Sequence, residues 1–160
     1  MPSAVSLPIA VISYRNRLEA LFKKVEQFPT DDLQLLAHWA AYVCVLTSGF
    51  IEVGLRSILL AHASSGASPS VVRYVDRQLG RVRNPNMEVV IQNVRSFSED
   101  WAATIEDATA GEIAASVNSV IANRHRIAHG ESVDLTLARM RTYFDDSVHM
   151  LEIIHGIFNP

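Results

Sequence analysis

The chain has 160 residues, of which 49% are apolar and 19% charged, and its formal net charge is −3. This composition is typical of a globular protein and excludes a disordered chain, and a chain of this length buries roughly 70% of its unfolded surface without needing disulfides or metal. The near-neutral charge argues against broad electrostatic binding to nucleic acid, so such binding would need a local patch. We expect one domain over residues 1–160, with residues 1–6 disordered.

The single cysteine, Cys44, lies in an apolar run, so we favour a buried structural thiol over a reactive nucleophile. One cysteine cannot form an internal disulfide, which fits a reducing compartment. The N-terminus lacks a basic region followed by an apolar run and a cleavage site. We therefore expect no secretory signal and a cytoplasmic location.

The first predicted helix covers about Leu7 to Gln27 and is closed by Phe28-Pro29. Thr30-Asp31 offers an N-cap for a long second helix that reaches about Ala63.

The second helix includes a stretch, Leu33 to Ile51, that carries no Lys, Arg, Asp or Glu and is nearly long enough to cross a bilayer. Polar residues such as Gln34 and His38 interrupt this stretch, and acidic residues flank it without a basic anchor. We therefore expect a buried helix and no membrane span.

The second helix is also apolar on two sides. One side carries Leu36, Trp39, Val43, Leu46, Phe50 and Val53, and the other carries Ala41, Val45, Leu55 and Leu59. A helix with apolar residues all round lies either at the centre of a core or between its own core and a partner. The second interpretation would place Glu52 against a partner surface.

The remaining elements also have helical periodicity, and no alternating run indicates a sheet. After a loop over 64–70 we predict a helix over 71–79 that Gly80 stops, a turn over 83–86 and a helix over 87–97. Residues 98–100 then cap a short helix that starts at Trp101. A further helix covers 110–128 and is ended by Gly130, and the last helix runs from an Asp134 cap to Ile157. The pattern predicts an all-α bundle of about five to seven helices whose neighbours are joined by short loops.

The penultimate helix contains an arginine in an apolar row. The row consists of Ile113, Val117, Val120, Ile121, Ile127 and Ala128. At 3.6 residues per turn, Arg124 falls in the middle of this row. Either Arg124 is buried and paired, or the row faces a cleft or a second subunit at that level.

The end of this helix reads "NRHRIAHG", Asn123 to Gly130. On a continuous helix Arg124 and His129 would point about 140° apart and could not converge on one ligand atom. Either the helix unwinds at its end so that His129 swings back, or a two-fold axis brings the same turn of a second subunit alongside. The two arrangements are compatible.

These residue types suit phosphodiester chemistry. A guanidinium holds phosphate oxygens through paired hydrogen bonds, and an imidazole can take or give a proton near neutral pH. RNA carries its own nucleophile in the 2′-hydroxyl, so no metal is required. The helix C-terminus favours a protonated His129, which suggests a general acid or an electrostatic partner. The alternative is that the basic turn only caps its helix, for which Gly130 is an ordinary terminator.

The stretch "RHRIAH" resembles the signature of the HEPN family, in which an arginine is followed by a polar residue, three further residues and a histidine. The long second helix "YVCVLTSGFIEVGLRSIL", the "NPN" turn, Trp101 and the final helix are similar to the HEPN group associated with RiboL-PSP proteins. The resemblance covers the chain from about Asp31 onward.

The resemblance implies an up-and-down helical bundle that dimerises through the second helix and the motif-bearing helix and places the motif of both subunits in one cleft. Many members are metal-independent endoribonucleases in toxin–antitoxin or other defence systems, and they leave a cyclic phosphate after 2′-hydroxyl attack. By this resemblance Arg124 and His129 are the catalytic pair, with His125 and Glu52 in support, and no cofactor or metal is expected. An antitoxin or neighbouring-gene protein would be a further partner.

Several arginines are candidate RNA contacts. Arg73, Arg77 and Arg81 recur every four residues, and Arg126 lies within the motif. They could contact phosphates, although a solvated helix face is the favoured interpretation.

Three functions therefore compete. The first is a homodimeric HEPN ribonuclease, the second a non-catalytic HEPN module that binds nucleotide, RNA or a partner protein, and the third a purely structural bundle.

Overall fold

The computed structural model describes residues 6–159, and the described part of the chain contains seven α-helices and no strand. The helices are α1 (Ile9–Glu26), α2 (Leu33–Gly66), α3 (Pro69–Leu79), α4 (Met87–Arg95), α5 (Glu99–Thr109), α6 (Glu112–Ala128) and α7 (Leu137–Phe158). The prediction of an all-α bundle is confirmed. The disorder expected for residues 1–6 concerns mainly residues 1–5, which lie outside the described range.

Helix α2 is the central element, and α1, α3, α6 and α7 all pack against it. Its two apolar sides are largely buried within the chain, because Val43 and Phe50 on one side and Leu55 and Leu59 on the other are each no more than 1% exposed. Helix α2 is long and apolar enough to cross a membrane by length and composition, and 56% of its most apolar window is buried inside the domain. Packing inside the domain therefore explains why α2 is so apolar.

The N-terminal half of α2 is different, because apolar side chains there reach solvent. Leu33 is 79% exposed, Tyr42 51% and Val45 38%. The large apolar side chains of α2 that are exposed in the described chain therefore lie in this half.

Several helix ends differ from the prediction, and side-chain caps explain two of them. Helix α2 is capped by Asp32, whose carboxylate accepts from Gln34 and Leu35 N–H, whereas Thr30 accepts from Asp32 N–H. Helix α7 is capped by Thr136 and not by Asp134. In both helices the capping residue is the one directly before the first helical turn.

The predicted loop over 64–70 is mostly helical. Helix α2 continues to Gly66, and α3 begins at Pro69, where a missing N–H costs nothing in the first turn. Helix α6 begins at Glu112 and not near Ala110, because Gly111 turns the chain with a φ of 87° that glycine adopts readily.

Cys44 is fully buried, and its Sγ lies 3.4 Å from the Val120 carbonyl oxygen. Burial raises the pKa of the Cys44 thiol to about 12, so the thiolate is not formed at neutral pH. The preference for a structural thiol is confirmed by this burial. His155 is likewise buried within α7, where its ring contacts the Asn159 amide.

Candidate functional site: a cleft beside the end of helix α6

Helix α6 ends in a hydrogen-bonded reverse turn that fixes the motif. Glu131 N–H donates to the Arg126 carbonyl and Gly130 N–H donates to the Ile127 carbonyl, with Gly130 at a φ of 73°. This pattern is a Schellman motif, which requires the left-handed conformation that glycine allows. His129 is the C-cap residue and keeps near-helical dihedrals, so in a single chain the helix does not unwind to swing His129 back toward Arg124.

Arg126 holds this turn from the side. Its Nε lies 3.1 Å from a Glu131 carboxylate oxygen, and its terminal nitrogen donates to the Ser132 carbonyl at 2.7 Å. Two of its donor groups are thus used inside the protein. The geometry gives Arg126 a structural task in addition to the RNA contact predicted for it.

A cleft of about 610 Å³ lies along the side of α6. It is lined by Asn118, Ile121, Ala122, Arg124, His125 and Arg126 from α6, and by Asn84, Asn86 and Glu88 from the segment before and within α4. Three consecutive motif residues therefore share one wall. The volume is within the range of small-molecule sites, and the lining combines apolar surface with asparagine, arginine and histidine side chains.

Arg124 is half-buried and forms no hydrogen bond or ion pair within residues 6–159. Its neighbours in the row are core residues, since Val117 and Val120 are fully buried and Ile121 and Ile127 pack against the core. Of the two interpretations of the row, the geometry agrees with a cleft and not with a buried ion pair. A guanidinium with free donors at a cleft wall is suited to bind an anion.

His125 and His129 lie next to each other, with ring centroids 4.4 Å apart in an edge-on arrangement. His125 lines the cleft and His129 stands one turn further along α6, beyond the lining. Both rings are exposed. Within one chain the cleft therefore brings together Arg124 and His125, and it does not bring together Arg124 and His129.

Glu52 holds the opposite wall in place. One carboxylate oxygen accepts from the Arg83 guanidinium at 2.8 Å and the other accepts from Asn84 N–H at 2.9 Å. Asn84 lines the cleft, so Glu52 is one residue removed from the lining. We expected Glu52 to contact a partner surface, but within this chain it contacts the loop that carries Arg83 and Asn84.

Asn84 has a φ of 45°, which is uncommon for a residue other than glycine. Its side-chain oxygen also lies 3.4 Å from the Ser48 hydroxyl of α2. Together with the Glu52 carboxylate, this contact fixes the backbone of the wall.

Asparagines supply further polar groups that the sequence analysis missed. Asn118 accepts from Met87 N–H and Asn86 accepts from Val89 N–H, both through the side-chain oxygen. Because the oxygens face these backbone donors, the amide nitrogens are left without a protein partner in the described chain. A sequence signal existed, because Asn118, Ala122, His125 and His129 recur every three or four residues on one face of α6.

Glu88 is the one carboxylate in the cleft lining. It contacts the Gln92 amide and forms no ion pair with Arg124 in the described residues. Within residues 6–159 no group of three or more His, Cys, Asp or Glu side chains is arranged to hold a metal ion.

Of the other predicted contacts, Arg73, Arg77 and Arg81 lie exposed on and just after α3. They do not line the cleft. The loop from Arg83 to Asn86 connects these arginines to the cleft.

The comparison with known protein families agrees with this architecture. The sequence matches the RiboL-PSP-HEPN family over residues 10–159, so the match includes the first helix, which contributed little to the resemblance. No curated protein and no solved structure matches the chain. The seven-helix fold and the extent of this match show that the chain belongs to the RiboL-PSP-HEPN family.

Proposed function

We propose that this protein is a metal-independent endoribonuclease that cuts RNA at a site completed by two copies of the chain. The observation that carries the proposal is Arg124, a half-buried guanidinium on the cleft wall that forms no hydrogen bond or ion pair within residues 6–159. The family contains ribonucleases and nucleotide-binding modules, so membership is compatible with the proposal but does not decide it.

In the proposed reaction the 2′-hydroxyl of RNA attacks the adjacent phosphorus and the 5′-oxygen leaves, which gives a cyclic phosphate. Arg124 binds the non-bridging phosphate oxygens, where negative charge builds up. His129 donates a proton to the leaving oxygen, and His125 takes the proton of the attacking hydroxyl. Glu52 acts indirectly, because it fixes the loop that carries Asn84.

The dimer is needed because Arg124 and His129 do not share a cleft within one chain. The exposed apolar side chains on the N-terminal half of α2 provide a surface for such an association. We propose contacts through α2 and α6, in a cytoplasmic protein that acts as a toxin or defence component with an antitoxin or neighbouring-gene partner.

The first test is cleavage of a labelled single-stranded RNA in EDTA by wild type, Arg124→Ala and His129→Ala. We expect each variant to lose activity by about 100-fold or more, because each removes a group that acts in the transition state. The product should carry a 2′,3′-cyclic phosphate.

Arg139→Ala is the matched control, since Arg139 is exposed on α7 and its side chain has no ion pair in the described chain. It should cut as fast as wild type. Cleavage by both Arg124→Ala and His129→Ala at the wild-type rate would reject the catalytic assignment.

A second candidate is a non-catalytic HEPN module that binds nucleotide, RNA or a partner protein. The separation of Arg124 from His129 in the single chain favours it, because a binding site needs only the cleft and its guanidinium. This function predicts that wild type binds RNA in the same assay but releases no product.

A further inference from the structure

The outer face of α3 combines arginines with an exposed aromatic ring. Arg73 and Arg77 are four residues apart in α3, which places them about 40° apart around the helix and about 6 Å apart along its axis, and Arg81 follows just after the helix. Tyr74 falls at the edge of the same arc and is 64% exposed. The ring of Tyr74 is therefore open to a ligand.

The positive charge of this face is not neutralised within the described chain. The acidic residue of α3, Asp76, points elsewhere and pairs with Arg56 of α2 at 2.7 Å. Arg73 and Arg77 form no ion pair or hydrogen bond within residues 6–159, and Arg81 reaches only the Gln78 amide oxygen at 3.5 Å. The guanidinium donors are therefore available to a ligand.

This face leads to the cleft along the chain. Gly80 keeps right-handed helical dihedrals and Arg81 N–H bonds to the Gln78 carbonyl, so a tight turn holds Arg81 next to the end of α3. Three residues span at most about 11 Å, so Arg81 lies within that distance of Asn84 on the cleft wall.

We propose that the outer face of α3 is a track that binds single-stranded RNA and directs it into the cleft. The arginines bind successive phosphates and Tyr74 stacks on a base, which is the way proteins bind single strands with little sequence preference. A duplex keeps its bases stacked on each other and would not offer one to Tyr74. The assignment of RNA as the ligand rests on the proposed ribonuclease function.

The test measures binding in the His129→Ala background, so that cleavage does not interfere. Fluorescence anisotropy would compare a labelled single strand with a blunt-ended duplex over a range of salt concentrations. Arg73→Ala/Arg77→Ala should weaken single-strand binding at least tenfold and reduce the salt slope by about 1.4, because each lost phosphate contact removes roughly 0.7. Tyr74→Ala should weaken binding about 5- to 100-fold, whereas Tyr74→Phe should bind like the parent.

The control for charge is Lys23→Ala/Arg139→Ala, which removes two exposed cations outside the track. Arg73→Ala/Arg77→Ala binding within twofold of this control would overturn the track, as would equal affinity of Tyr74→Ala and Tyr74→Phe or equal binding of duplex and single strand. These results are independent of the cleavage assay. A negative binding result would therefore reject the track without rejecting the nuclease. Absence of cleavage would reject the nuclease without rejecting RNA binding by the track.

Discussion

At the scale of single residues, Arg124 is the feature that distinguishes this cleft. Its charge is partly removed from water, and no carboxylate within the described chain compensates for it. A partly buried charge without a partner lowers the stability of a fold, and a bound anion relieves that cost. Arg124 should therefore lower the stability of the free protein and make it sensitive to anions.

We predict that Arg124→Met raises the melting temperature while it abolishes cleavage. Methionine keeps the apolar stem and removes the charge, so the gain in unfolding free energy should be small, up to about 1 kcal/mol. Thermal melts with and without a non-cleavable oligonucleotide, 2′-deoxy at the scissile position, provide the measurement. The oligonucleotide should raise the melting temperature of wild type by more than that of Arg124→Met, which keeps only the contacts on α3; an equal shift in both would show that Arg124 does not contact the phosphate.

Residue-scale prediction from sequence worked where it depended on helical periodicity. The place of Arg124 within an apolar row follows from 3.6 residues per turn and needs no tertiary information. The partners of Glu52 could not be predicted in this way, because Asn84 lies 32 residues away and meets Glu52 only when α3 folds back on α2. The same holds for Asn118, whose partner Met87 lies 31 residues earlier.

At the scale of elements, the close contact of α2 with α7 depends on Gly54. A Cβ at this position would overlap the Leu151 side chain, which is fully buried and cannot move aside freely. The interface that holds the central helix thus has room for a hydrogen atom and not for a methyl group.

We predict that Gly54→Ala destabilises the protein by about 1–3 kcal/mol, because overpacking forces side chains off their preferred rotamers. Urea unfolding followed by circular dichroism measures the change. Gly156→Ala in α7 is the matched control, since nothing lies within 4 Å of its added Cβ. It should stabilise the helix by roughly 0.5–1 kcal/mol. A stable Gly54→Ala protein would show that α2 and α7 can move apart at low cost.

The sequence predicted which segments are helical, but it predicted the residues at which the helices begin and end less well. Long periodic segments such as α2 and α6 were recognised from the sequence, but Thr30-Asp31 and Asp134 were the wrong caps. Asp32 and Thr136 are chemically equivalent choices a few residues away, and packing of the first turn selects between them.

At the scale of the whole molecule, the open question is whether one site uses groups from two chains. A composite site has a specific consequence for mixed dimers. If Arg124 comes from one subunit and His129 from the other, a dimer of Arg124→Ala with His129→Ala contains one complete site.

We predict that mixing the two inactive variants under conditions that allow subunit exchange restores activity. Random exchange makes half of the dimers mixed, with one of two sites complete, so about one quarter of wild-type activity should return. RNA cleavage measured against the mixing ratio tests this, and each variant alone is the control. No recovery, in a mixture shown by mass spectrometry to contain mixed dimers, would mean that each site uses residues of a single chain.

The family and its helical frame were recognised from the sequence because the motif, the long second helix and their order are all local features. The cleft could not be predicted from the sequence. Its two walls come from segments about 40 residues apart, and these segments meet only in the folded chain.

The loop that carries Asn84 holds a backbone conformation that is uncommon for its residue type, and contacts with Glu52 and Ser48 of α2 fix it there. Such a segment can open on its own while the surrounding helices remain folded. Loss of the contacts with Glu52 and Ser48 would therefore displace the wall opposite Arg124, and weaken the grip on a bound strand, while the bundle stays folded.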